Sequence, residues 1–171
     1  MEKKDLKPAG VFKYFEEICQ VPRPSKKEEK MIAYLKAFGA KHNLETKVDE
    51  AGNVLIKKPA TPGKENLQTV VLKSHIYIVS EKNNDVQHDF LTDPIETEID
   101  GEWLKAKGTT LGADNGIGVA TELAILADDS IEHGPLECLF TVDEETGLTG
   151  AFALKEGRMR RRYRFRCRVY L

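Results

Sequence analysis

Residues 111–147 read LGADNGIGVATELAILADDSIEHGPLECLFTVDEETG, and the fold turns on this run. From residue 115 to 127, Ile117, Val119, Ala120, Leu123, Ala124 and Leu126 recur at helical spacing. Leu136–Val142 is a short apolar run suited to a strand buried on both faces. A helix followed by a buried strand is the repeating unit of an α/β layered sheet.

The same alternation extends toward the N-terminus. Val11, Phe12, Phe15, Ile18 and Cys19 give an amphipathic helix over 9–20, broken by Val21-Pro22-Arg23-Pro24. Ser25 with Glu28 reads as a capping box opening a second helix over roughly 26–42, with Met31, Ile32, Leu35 and Phe38 as its apolar stripe. Short β-like runs follow at 45–49 and 53–57, then the loop 59–66 and a strand over 69–72. Asp100-Gly101 marks a hairpin, and a further helix is predicted over 146–156. The predicted fold is therefore a layered α/β sheet flanked by helices.

Composition removes several classes of protein. Hydrophobic residues make up 40% of the 171, and the net charge is only −2, which argues against a disordered chain. No stretch approaches the ~18 apolar residues of a membrane span, so no membrane partner is expected. The charged N-terminus has no apolar signal core behind it, and Cys19, Cys138 and Cys167 are odd in number and far apart. Both features suit a reducing, cytoplasmic setting. The net charge conceals a seam. Residues 1–157 hold eighteen Lys and one Arg, Arg23, for a charge of −9, whereas residues 158–171 (RMRRRYRFRCRVYL) hold seven Arg and no Lys, Asp or Glu. The switch at Gly157 reads as an aberrant, frameshifted or cloning-derived end. The alternative is a basic arm for nucleic acid or an acidic surface.

Three polar clusters sit at strand or hairpin ends: His75 after 70–74, Asp114 within Leu111–Gly116, and Asp143-Glu144-Glu145 after the strand at 136–142. A histidine, an aspartate and paired glutamates are the ingredients of a carboxylate-rich zinc site. One glutamate can hold metal while its unligated neighbour takes a proton from the attacking water. Taken singly, each has a plainer reading: a satisfied histidine, an N-cap aspartate, a solvated acidic turn.

Ser74-His75, Glu81-Lys82-Asn83, Lys107–Gly118 and Phe140–Gly147 together resemble the aminoacyl-histidine dipeptidases. These form the carnosinase-like branch of the co-catalytic di-zinc aminoacylase/carboxypeptidase superfamily. The resemblance runs from about residue 5 to Gly157. It implies a cytoplasmic zinc metallodipeptidase of Xaa-His substrates, homodimeric, with a catalytic domain and a separate lid or dimerisation domain. It also implies roles: His75 binds one zinc, Asp114 bridges both, Glu145 binds the other, and Glu144 is the general base. No cofactor beyond zinc is expected. On this reading, residues 1–157 are the N-terminal part of the catalytic domain, 158–171 is the Arg-rich tail, and the lid domain is absent.

Two departures stand out. The family pattern places Asp two residues after the histidine, where this chain has Tyr77. A neutral phenol cannot raise imidazole basicity as a carboxylate does, so the catalytic contribution of that position is expected to be impaired. By spacing, a further Asp ligand would fall near Arg168, and a distal His has no counterpart. A truncated form with an incomplete zinc ligand set and little or no activity is the expectation, with a non-catalytic pseudoenzyme as the alternative. Gly112-x-x-x-Gly116-Ile117-Gly118 mimics a dinucleotide-binding turn, but it follows a hairpin, and no Tyr-x-x-x-Lys lies downstream.

Overall fold

A computed structural model describes residues 2–142 and 163–166. Helix α1 spans Ala9–Cys19 and α2 spans Glu29–Lys41; strands β1 (Glu45–Val48), β2 (Val54–Lys58) and β3 (Val70–His75) follow. The hairpin pairs β4 (Thr97–Asp100) with β5 (Trp103–Ala106) through Gly101, whose φ is +61°. Helix α3 spans Ala113–Ala127, β6 Leu136–Thr141 and β7 Tyr163–Arg166.

Five strands form one mixed sheet in the order β1-β2-β6-β3-β7. β3 runs parallel to β6 and to β7, whereas β2 is antiparallel to β1 and β6. All six residues of β6 are buried, as the largely apolar run predicts for a strand covered on both faces, and the one charge within it, Glu137, pairs with Lys57 at 3.2 Å. The layered α/β sheet flanked by helices is the observed fold: α3 packs on β3, α1 packs on α3, and α2 covers β1 and β2. Phe15, Ile18, Met31, Leu35, Ile56, Ile76, Val119, Leu123 and Phe140 join in one core. Each fully buried side chain of this size contributes about 1.5–3 kcal/mol relative to exposure. Tyr14 and Phe38 tie α1 to α2 edge-on, with ring centroids 5.6 Å apart.

Two local expectations are corrected. Ser25 does not cap α2. Its backbone N–H donates to Ile78 O, Lys26 takes a left-handed turn at φ +66°, and the helix begins at Glu29 with Glu28 at its N-cap. The pairing of Pro24 with Ile78 holds this segment against the chain after β3, which competes with an earlier helix start. The strand predicted over 69–72 runs on to His75, because β6 offers a parallel partner as far as Thr141. The predicted helix over 146–156 lies outside the described residues. Part of the Arg-rich tail, residues 163–166, is a strand paired with Val70–Lys73 of β3.

Candidate metal centre

The register of β3 against β6 builds the site. His75 is the last residue of β3 and pairs with Thr141, and Ile76 N–H extends the ladder to Thr141 O at 3.0 Å. Both parallel strands therefore end side by side, and ligands of open α/β sheets gather beyond such carboxyl ends. Val142, the next residue of the second strand, is anchored by its N–H donating to Asn53 Oδ1 at 3.1 Å.

A second segment delivers the carboxylate. Glu81–Asn83 is bound to the run beginning at Lys107: Asn83 N–H donates to Gly108 O at 2.8 Å and Thr110 N–H to Glu81 O at 2.9 Å. Two of the sequence motifs are thus hydrogen-bonded to each other, which sets the Gly-rich turn beside the end of β3. Gly112 stands at the N-cap of α3 with φ +71°, and a Cβ there would lie 2.4 Å from Ile78 Cγ2. Only glycine meets both demands. Asp114 and Asn115 have non-helical dihedrals, and the peptide between them is cis. Asp114 does not cap the helix, contrary to the plainer reading. Its Oδ1 instead lies 3.3 Å from His75 Nε2.

The two groups differ in exposure. The His75 side chain is 10% accessible and that of Asp114 is 61%, so a buried imidazole meets a carboxylate open to solvent. His75 Nδ1 is buried and meets no hydrogen-bond partner among the described residues. Tyr77, almost wholly buried, does not reach it edge-on. Its ring stacks on the imidazole with centroids 4.6 Å apart and planes 26° from parallel. The i, i+2 spacing of extended chain puts both rings on one side.

Imidazole nitrogen and carboxylate oxygen are both zinc donors, so the pair fits two positions of a zinc ligand set. Among the described residues no cluster of three or more His, Cys, Asp or Glu forms, and Glu144 and Glu145 lie outside them. The structure therefore brings His75, Asp114 and Tyr77 together.

Arg23 escaped the sequence reading as a functional residue. It is 1% exposed, with Nη1 donating to Ile76 O and Nη2 to Gly112 O, each at 3.4 Å. Burial holds its pKa down to about 10, offset in part by the Cys19 thiol beside it, and burial pushes Cys19 up to about 11. A signal existed. Within residues 1–157 a single arginine among eighteen lysines marks a place where a planar fork, and not merely a charge, is needed.

An α/β sheet that sets a histidine at a parallel strand end, beside an aspartate in the turn opening the next helix, has the architecture of a zinc-peptidase catalytic domain. The solved structures it resembles are of that class: an aminopeptidase PepT from Bacillus cereus is 26% identical with a TM-score of 0.77, covering 92% of this chain and 42% of that one. The crystal structure of an aminoacylhistidine dipeptidase from Vibrio alginolyticus is 50% identical with a TM-score of 0.93, covering 97% of this chain and 34% of that one. The cytosol non-specific dipeptidase of Escherichia coli is 50% identical over 154 residues, which are 90% of this chain and 32% of that protein. This chain matches the aminoacyl-histidine dipeptidases over nearly all of its own length and spans about a third of theirs. No protein-family model matches it. No helix among the described residues is long and apolar enough to cross a membrane.

Proposed function

We propose that this chain carries part of the metal centre and the general base of a cytoplasmic, zinc-dependent dipeptidase acting on Xaa-His substrates. The observation that carries the reading is the approach of His75 Nε2 to Asp114 Oδ1, 3.3 Å, at the ends of parallel β3 and β6. The 50% identity to a dipeptidase supports it.

His75 would bind one zinc, Asp114 would bridge two, and Glu145 would bind the second. Zinc, when bound, polarises the scissile carbonyl and lowers the pKa of the attacking water. Asp114 is suited to bridging because its carboxylate projects from a turn, with its side chain 61% accessible. Glu144 and Glu145 follow Val142 by two and three residues, and Val142 comes directly after Thr141, the strand end paired with His75. Glu144, left unligated, takes the proton from the attacking water and returns it to the departing amine. Tyr77 orients His75 by stacking but, being neutral, leaves the imidazole less basic than a carboxylate partner would.

The 171-residue chain alone is expected to turn over little substrate. Tyr77 weakens the histidine ligand, and the position that would supply another aspartate falls within the Arg-rich run near Arg168. The relatives' activity belongs to chains about three times as long, and the dimer and lid of the family fall under the same proposal. Nucleic-acid binding through 158–171 draws no support from the relatives, and residues 163–166 are engaged with β3.

The test is to incubate the purified chain with zinc and an Xaa-His dipeptide, measuring free histidine and bound zinc. Zinc bound through His75 with only trace release of histidine is expected. Robust turnover would overturn the low-activity reading. Zinc binding indifferent to His75→Ala would overturn the centre itself.

A further inference from the structure

Arg23 sits where the two ligand-bearing segments meet. Nη1 donates to the carbonyl of Ile76, the residue after His75, and Nη2 to the carbonyl of Gly112, two residues before Asp114. The glycines of the turn make room for it: a Cβ on Gly112 would lie 3.1 Å from Nη2, and one on Gly116 3.0 Å. Arg23 is itself fixed by its neighbours, since Ile78 N–H donates to Arg23 O at 3.0 Å and Pro24 bridges to Ile78. Among the described residues no carboxylate pairs with the guanidinium, and its one side-chain partner is the buried Cys19 thiol.

A buried cation without a counter-ion is costly, and mere packing would be served better by an apolar side chain of similar volume. A planar fork spanning two carbonyls on separate segments does what such a side chain cannot. It fixes the distance between the end of β3 and the turn that carries Asp114.

We propose that Arg23 is a positioning residue for the metal centre: its guanidinium bridges Ile76 and Gly112 and thereby sets His75 and Asp114 at ligating separation. This rests on the reading of His75 and Asp114 as zinc ligands. Arg23 touches neither side chain and acts through the backbone on both. Loss of such a supporting partner weakens metal binding by ~10–100-fold.

The experiment measures the zinc dissociation constant and the metal-free melting temperature of the full chain. Wild type is compared with Arg23→Met, Arg23→Lys, His75→Ala and Leu35→Ala, the last removing a core side chain on α2. Arg23→Met is expected to weaken zinc ~10–100-fold. Arg23→Lys, which keeps the charge but loses the fork, should fall between it and wild type. Leu35→Ala should melt lower yet bind zinc as wild type does. Should Arg23→Met not fold, wild type enriched with 15N-arginine still decides the question. The Arg23 Nε–Hε resonance, assigned by its loss in Arg23→Lys, should shift on zinc addition and stay fixed in His75→Ala.

Arg23→Met binding zinc as tightly as wild type, or an Arg23 resonance unmoved by zinc in wild type, would overturn the positioning role while leaving the centre intact. Wild type whose zinc affinity does not depend on His75 would overturn the centre, and this proposal with it.

Discussion

Replacing Tyr77 with aspartate should strengthen zinc binding while weakening the metal-free fold. The buried His75 Nδ1 has no hydrogen-bond partner among the described residues, and the Tyr77 ring lies against the imidazole face with centroids 4.6 Å apart. A carboxylate at residue 77 sits on the same side of the extended chain and can accept from Nδ1–H. This fixes the tautomer that leaves Nε2 free for metal and raises its basicity. Supporting partners of this kind are worth ~10–100-fold in metal affinity, which is about 1.4–2.7 kcal/mol. Against this stands the loss of a phenol only 1% exposed. Truncating a buried aromatic costs about 3–5 kcal/mol, and an uncompensated buried carboxylate adds to that. The two effects separate in one assay, differential scanning fluorimetry with and without zinc, supported by competition against a chromophoric chelator. Tyr77→Asp should melt below wild type without metal and show the larger zinc-induced rise. A folded Tyr77→Asp that binds zinc no better than wild type would refute the argument that Nδ1 lacks a needed partner.

Gly118→Ala would place a Cβ 1.8 Å from Asn115 Oδ1, so a cost of about 1–3 kcal/mol is expected, read by denaturant melts. Glu122 is buried against Ser74 and Cys138, and desolvation outweighs those contacts and Lys73 to hold its pKa well above the ordinary carboxylate value. The folded state then keeps a proton that the unfolded state releases above about pH 4.5, so this group lowers stability as pH rises from there toward its folded pKa. Glu122→Gln should remove that slope, gaining on wild type by at most about 1.4 kcal/mol per pH unit as pH rises toward the folded pKa of Glu122, measured by urea unfolding. Ending the chain after Gly157 removes β7 and strips the ladder from Val70–Lys73. A loss of about 1 kcal/mol per ladder hydrogen bond, with a rise in light scattering from the exposed edge, is expected.

The parts of the fold legible in the sequence are those governed by local periodicity. The apolar spacing of 115–127 and the largely apolar run 136–141 became α3 and β6 with their boundaries nearly intact, and Asp100-Gly101 became the β4–β5 hairpin. Features that depend on a distant partner were not legible. Ser25 carried a capping signature, yet its N–H is taken by Ile78, more than fifty residues on. β3 reaches His75 only because Thr141 lies opposite, and this places the imidazole on the strand's last residue, not beyond it. Residues 163–166 alternate aromatic side chains with arginine at strand period, yet nothing in that pattern names β3 as the partner. For the centre, residue types pointed to His75 and Asp114, and the structure supplies their 3.3 Å approach. Arg23 remained hidden because its role lies in two backbone carbonyls that no sequence pattern encodes.

The most direct test of the zinc centre is X-ray absorption at the zinc edge of the loaded chain, compared with His75→Ala. The account predicts a nitrogen and oxygen shell at about 2.0–2.1 Å with imidazole scattering that disappears in the variant. A sulfur shell at about 2.3 Å, or imidazole scattering that survives the loss of His75, would contradict it.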